Sequence, residues 1–219
     1  MIETETSNKQ VLPVVWKAAW KDGFFRAQCT FTIPLLLLAL FLLSNFLDTI
    51  ENRPGVVLPD PILALFAAYD STWLTFAIIY SAVLLGLITL SFHPRQLLLA
   101  IQAYVVLVIL RIGVMYVVPL DAPDGIIPLK DPFVQLFGSG GVLTKDLFFS
   151  GHTSILLLLF LTAKRRDLRV IFLVSAITVG VCVIWQHVHY TIDVLVAPFF
   201  CYLSYRVIVL IHRRLRLRR

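Results

Sequence analysis

Thr72 to Phe92 read TWLTFAIIYSAVLLGLITLSF, twenty-one residues without an Asp, Glu, Lys or Arg. Roughly twenty mostly apolar residues suffice to carry a helix across a bilayer core. The same reading applies on either side, to Phe31–Leu47, Leu97–Val118, Leu147–Ala163, Val170–Gln186 and Ile192–Ile211. The 219 residues are 59% hydrophobic and 15% charged, with a mean hydropathy of +0.87. A soluble domain of that length needs more polar surface, so the expected class is an all-α polytopic membrane protein with six transmembrane helices. Ahead of them, Val14–Phe25 interleaves Trp16, Trp20, Phe24 and Phe25 with Lys17 and Lys21, the pattern of an interfacial amphipathic helix. The expected organisation is a segment over 1–30, a six-helix membrane domain over 31–211 and a basic tail over 212–219. No cleavable signal peptide is expected, because the N-terminus opens polar.

Basic residues set the expected orientation. Lys9, Lys17, Lys21 and Arg26 precede the first span, Arg95 follows the second, Lys164, Arg165, Arg166 and Arg169 follow the fourth, and the basic tail follows the sixth. The alternate loops hold only Arg53, Lys130 and Lys145, diluted by Asp48, Glu51, Asp60, Asp121 and Asp124. The positive-inside rule then places both termini in the cytosol. A net charge of +6 concentrated beside apolar segments suits anionic lipid at the tail and not nucleic acid. Cys29, Cys182 and Cys201 lie in or beside apolar stretches, without metal-ligand or disulfide spacing, and read as packing residues.

Two polar islands interrupt the apolar runs: Phe149-Ser150-Gly151-His152-Thr153 and His187-Val188-His189-Tyr190-Thr191-Ile192-Asp193. Ionisable residues at membrane depth are costly and mark function. His189 and Asp193 stand four apart, so a helix would bring them onto one face. Either could be plain, an interfacial imidazole and a carboxylate favoured by a helix N-terminus. Together, the carboxylate can fix one ring nitrogen and leave the other as a nucleophile. His152 is the candidate acid. Ser150 and Gly151 before it offer a capping hydroxyl and open backbone N–H groups, an anion site at a helix start. Arg111, inside an apolar run, either pairs with an acidic residue or clamps a substrate phosphate. Asp146, His187, Tyr190, Thr191 and Asp60 are supporting candidates. The orientation puts His152, His189 and Asp193 at one non-cytosolic depth. No convergent set of oxygen ligands is visible in the sequence, so the expected chemistry calls for no metal or other cofactor.

The two islands, with Asp146 ahead of the first, resemble the catalytic motifs of the sphingomyelin synthases, in the type-2 phosphatidic acid phosphatase superfamily. Leu58-Pro59-Asp60 and Arg111-Ile112-Gly113-Val114-Met115-Tyr116 are similar too, so the resemblance runs from about Leu58 to Arg206. It implies six spans, an extracytoplasmic site and a phosphohistidine mechanism. His189 would be the nucleophile, Asp193 its partner and His152 the leaving-group acid. The donor would be a membrane phospholipid, and the acceptor a lipid alcohol or water. Thr144-Lys145 departs from the Cys-Gly of the synthases, and Cys182 and Val183 stand where the lipid phosphatases carry Ser-Arg. Hydrolysis of phosphatidate or a polyprenyl pyrophosphate at the same site is the near alternative. A proton-coupled transporter is the alternative of another class, although the ionisable residues cluster near one interface.

Overall fold

A computed structural model describes residues 3–130 and 143–217, with side chains over 12–130 and 143–215. Among the described residues the chain forms seven α-helices and no strand. They are α1 (Glu3–Lys21), α2 (Gly23–Glu51), α3 (Thr72–Ser91), α4 (Pro94–Val117), α5 (Gly151–Thr162), α6 (Arg166–Trp185) and α7 (Thr191–Leu217). All but α1 and α5 are long and apolar enough to cross a membrane, which makes five candidate spans.

The fourth expected span, Leu147–Ala163, differs. Its helix has 12 residues and begins at Gly151, while Leu147 to Ser150 stay outside it. At 1.5 Å per residue that is about 18 Å, short of a bilayer core. α5 is the centre of the bundle, in contact with α3, α4, α6 and α7. Leu156, Leu158 and Ser154 are buried to 2% exposure or less. An apolar run wrapped by protein need not match the thickness of lipid. The expected interfacial stretch Val14–Phe25 is divided between two helices. Asp22 breaks the chain there and accepts the N–H of Phe24 as the cap of α2. α2 runs on through residue 30, and α7 runs through residue 211 into the tail.

Lipid is as apolar as the side chains, so close packing and small residues must hold such a bundle together. Ala176, Val179, Val183, Ala197 and Cys201 are buried to 1% exposure or less where α5, α6 and α7 meet. A Cβ on Gly180 would come within 2.9 Å of Val194 on α7. Phe31, Trp73, Ile177 and Leu195 stand exposed on outward faces, where acyl chains would cover them.

At the end of the bundle that carries the polar islands, the loops are tied to each other. Val56 and Leu120 form an isolated parallel bridge, and the N–H of Gly55 donates to Asp121. Glu51 accepts from Thr144 and from the N–H of Lys145, and Lys145 pairs with Asp121 at 2.6 Å. A Cβ on Gly55 would lie 2.5 to 2.7 Å from the backbone of Leu120 and Asp121. We expect Gly55→Ala to force these two loops apart and to cost about 1–3 kcal/mol, measured as thermal unfolding in detergent micelles. An unchanged midpoint would contradict the close backbone approach.

Candidate active site

α6 ends at Trp185, and a buried amide directs the chain beyond it. Gln186 Oε1 accepts from the N–H and hydroxyl of Ser71, each at 3.1 Å, and its Nε2 donates to Thr72 Oγ1 and to the carbonyl of Ile127. One side chain thus fastens the start of α3 and the 123–127 loop to the turn entering the second island. Sequence reasoning did not single it out; the only signal was an amide at the end of an apolar run. His187 then takes a left-handed backbone, φ 56°. Its Nδ1–H donates to the carbonyl of Asp124, and its ring meets the edge of Phe66. His187 therefore faces the loops at this end of the bundle, beside a cleft of about 480 Å³ that Asp60, Phe66, Asp124 and Tyr190 also line.

His189 and Asp193 are both 0% exposed. Asp193 Oδ2 lies 3.3 Å from His189 Nδ1 and also accepts the N–H of Tyr190 at 3.1 Å. Asp193 thus reaches back to cap the start of its own helix, as the acidic member of a capping box does. A carboxylate facing Nδ1 requires the proton on that nitrogen, which leaves Nε2 with its lone pair. His189 Nε2 and Asp193 Oδ1 are buried without a partner among the described residues. The ring of His152 lies 5.8 Å from that of His189, centre to centre, and 6.1 Å from Phe76.

The first island is pinned to the second through the backbone. Ser150 N–H donates to the carbonyl of Asp193 at 3.1 Å, while Ser150 Oγ accepts from Thr153 and caps α5. Arg111 comes from α4 and lies against Gly151, so that a Cβ there would run into the guanidinium. Arg111 pairs with Asp146 at 2.5 Å, and its Nε is buried without a partner among the described residues. Of the two sequence readings of Arg111, the structure shows the acidic partner, and it places the guanidinium at the N-terminus of α5.

Asp60 supports the second island from outside, and Tyr190 ties it to the neighbouring loops. Asp60 accepts the N–H of Thr191 at 2.7 Å and its hydroxyl at 3.1 Å, so a loop residue caps α7 from a distance. Tyr190 is 1% exposed; its hydroxyl donates to the carbonyl of Asp121 and accepts the N–H of Leu58. Burial pushes the Tyr190 phenol up, which keeps that donor protonated. For Asp60, burial would raise the carboxyl, but hydrogen bonds from Thr191, Leu63 and Ile62 outweigh it and hold it below its usual range.

Residues 145–212 match the family model described as PAP2 superfamily C-terminal. The match supports the type-2 phosphatidic acid phosphatase superfamily. It spans both polar islands, whereas Asp60 and Arg111 lie outside it. Members of that superfamily are phosphatases and phosphotransferases, which supports an enzyme of lipid phosphoesters. Taken with the five long apolar helices, the match also supports a multi-pass integral membrane protein.

Gly151→Ala should displace Arg111 and lower turnover at least tenfold with little change in the unfolding midpoint; full activity would show that the guanidinium does not need its place. The Asp60 carboxyl titrates lower when folded, so its contribution to stability is present above the unfolded carboxyl range, near pH 4, and fades as pH falls through the folded value. We expect Asp60→Asn to remove that part of the acid limb in pH-dependent unfolding, and an unaltered limb would contradict the cap.

Proposed function

We propose that the protein is a membrane lipid phosphotransferase of the sphingomyelin synthase-like kind, moving a phospho-headgroup from a glycerophospholipid to a lipid alcohol through phospho-His189. The observation that carries the proposal is the buried His189 ring, with Nδ1 against Asp193 and Nε2 unpartnered, facing a second imidazole at 5.8 Å.

In the first step His189 Nε2 attacks phosphorus while the P–O bond to the diacylglycerol breaks. His152, entering as the imidazolium, gives its proton to the departing oxygen. Asp193 stabilises the positive charge that His189 acquires as its Nε2 bonds to phosphorus. In the second step neutral His152 takes the proton of the incoming hydroxyl. The new P–O bond forms as the P–N bond breaks, and His189 leaves in its starting tautomer. Arg111 and the N-terminus of α5 at Gly151 supply positive potential for the phosphoryl oxygens. Asp146, in this reading, holds the guanidinium until substrate phosphate competes for it. With phosphatidate or a polyprenyl pyrophosphate as donor and water as the second nucleophile, the same site would be a lipid phosphate phosphatase. The Lys and Arg distribution supports cytosolic termini and an extracytoplasmic site.

His189→Ala is expected to abolish turnover and His152→Ala to lower it about 10²–10⁴-fold, with Asp193→Asn also inactive, each assayed on folded protein in detergent. Vanadate, a mimic of pentacoordinate phosphorus, should inhibit, and turnover should persist in excess chelator. Incubation with labelled phosphatidylcholine, with and without ceramide or diacylglycerol, reads the acceptor. A new phospholipid marks transfer, and free phosphate or a soluble phospho-headgroup marks hydrolysis. Retained activity in the His189 variant would end the nucleophile assignment.

A further inference from the structure

At the opposite end of the bundle from His152 and His189, a polar chain joins α2, α4 and α7. Gln102 Nε2 donates to Thr32 Oγ1 at 2.9 Å, and His212 Nε2 lies 2.7 Å from Gln102 Oε1 and 3.0 Å from Gln28 Nε2. His212 follows Asp193 by nineteen residues of one helix, about 28 Å along its axis. A groove of about 420 Å³ opens over this chain toward the lipid, walled by Phe31, Leu35, Val105, Ile109 and Ile208. A smaller cleft of about 220 Å³ adjoins it, lined by Asp22 and Arg95, and the two cavities share Phe24, Gln28 and His212.

The dimensions fit one molecule. Along α2 the groove runs from Phe24 to Leu35, about 16 Å at the helical rise. That is about half a bilayer core, the depth of one leaflet. Its walls are apolar and open outward, with Phe31 76% and Ile109 49% exposed. The cleft at its mouth is polar. A cavity pair that is apolar for one leaflet's depth and polar at the headgroup level has the shape of a phospholipid.

Charge selects the headgroup. Facing the cleft are Arg95, His212 and Asp22. The Asp22 carboxylate already caps Phe24 and pairs with Arg95 at 3.0 Å. Arg95 is 61% exposed and keeps most of its surface open to a ligand. Lys17, Lys21, Arg26, Lys164, Arg206, Arg213 and Arg214 belong to the same end of the bundle, against Asp22 and Asp167 among the described acidic side chains. We propose that these joined cavities bind one anionic phospholipid from the adjacent leaflet. Its phosphate sits at Arg95, at the polar mouth that both cavities share, and an acyl chain lies between α2, α4 and α7. The site is separate from the catalytic one and would brace the three helices at this end.

The test titrates delipidated full-length protein in detergent with phosphatidylglycerol or with phosphatidylcholine of identical chains, counting bound lipid by native mass spectrometry. One phosphatidylglycerol should be retained at least tenfold more tightly than phosphatidylcholine. Arg95→Gln should weaken it roughly fivefold, the weight of one basic residue at an anionic surface. Ala27→Trp, which fills the groove mouth, should abolish retention, whereas Ile177→Trp on the outward face of α6 should leave it intact. Should Ala27→Trp fail to fold, Ile109→Trp closes the deep end and carries the same expectation. Equal retention of the two lipids, or full retention in the groove-filling variant, would overturn the proposal.

Discussion

A carboxylate that water cannot reach must be given partners by the protein, and Asp193 is such a group, 0% exposed at the head of α7. It finds them in the N–H of Tyr190 and Nδ1 of His189. Much of this end of the molecule serves to keep that arrangement in place. Asp60 caps Thr191 from one loop, Tyr190 is held by Leu58 and Asp121 from two others, and Ser150 reaches the carbonyl of Asp193 from α5. Each of these contacts joins residues far apart in sequence. Local helix propensity alone would not hold them together, so the packed core beneath must. In that sense the small residues of α6 and α7, Gly180 and Ala197 among them, belong to the site as much as to the fold.

The two ends of the bundle are built differently. At the island end, loops are stitched by ion pairs and backbone bonds, including Lys145 with Asp121 and Gly55 with Asp121. A rigid frame suits a centre that must hold reacting groups to within a fraction of an ångström. At the basic end the helices are joined by side-chain amides, His212 and the Asp22–Arg95 pair, with cavities between them. Under the proposed lipid site, such an end would exchange with lipid without disturbing His152 and His189. Trp16 hydrogen-bonds the carbonyl of Ser91 there and secures α1 against the bundle.

Much of this was readable from sequence because apolar length and charge asymmetry are one-dimensional signals. The runs around Thr72–Phe92 and Val170–Gln186 became α3 and α6 nearly within their expected limits. Leu147–Ala163 did not, since an apolar run looks the same whether lipid or protein covers it. His189 and Asp193 do meet, but not on the shared helix face expected of a four-residue spacing: His189 lies in the turn before α7, and Asp193 reaches back to it while capping Tyr190. The meeting of His152 with them depended on α5 and α7 lying side by side, which no local pattern states. Gln186 escaped notice for the same reason: its partners Ser71 and Ile127 are 115 and 59 residues away. Arg111 was visible as a charge among apolar residues, but its position against Gly151 belongs to the packing of α4 on α5.

The central claim is that His189 carries the phosphoryl group between donor and acceptor. Rapid quench of purified protein turning over a phosphate-labelled glycerophospholipid, with peptide mapping under alkaline conditions, tests it directly. The account predicts an acid-labile, base-stable phosphoramidate on His189 that disappears when acceptor is added. Steady turnover with no label on His189 at any quench time would contradict it.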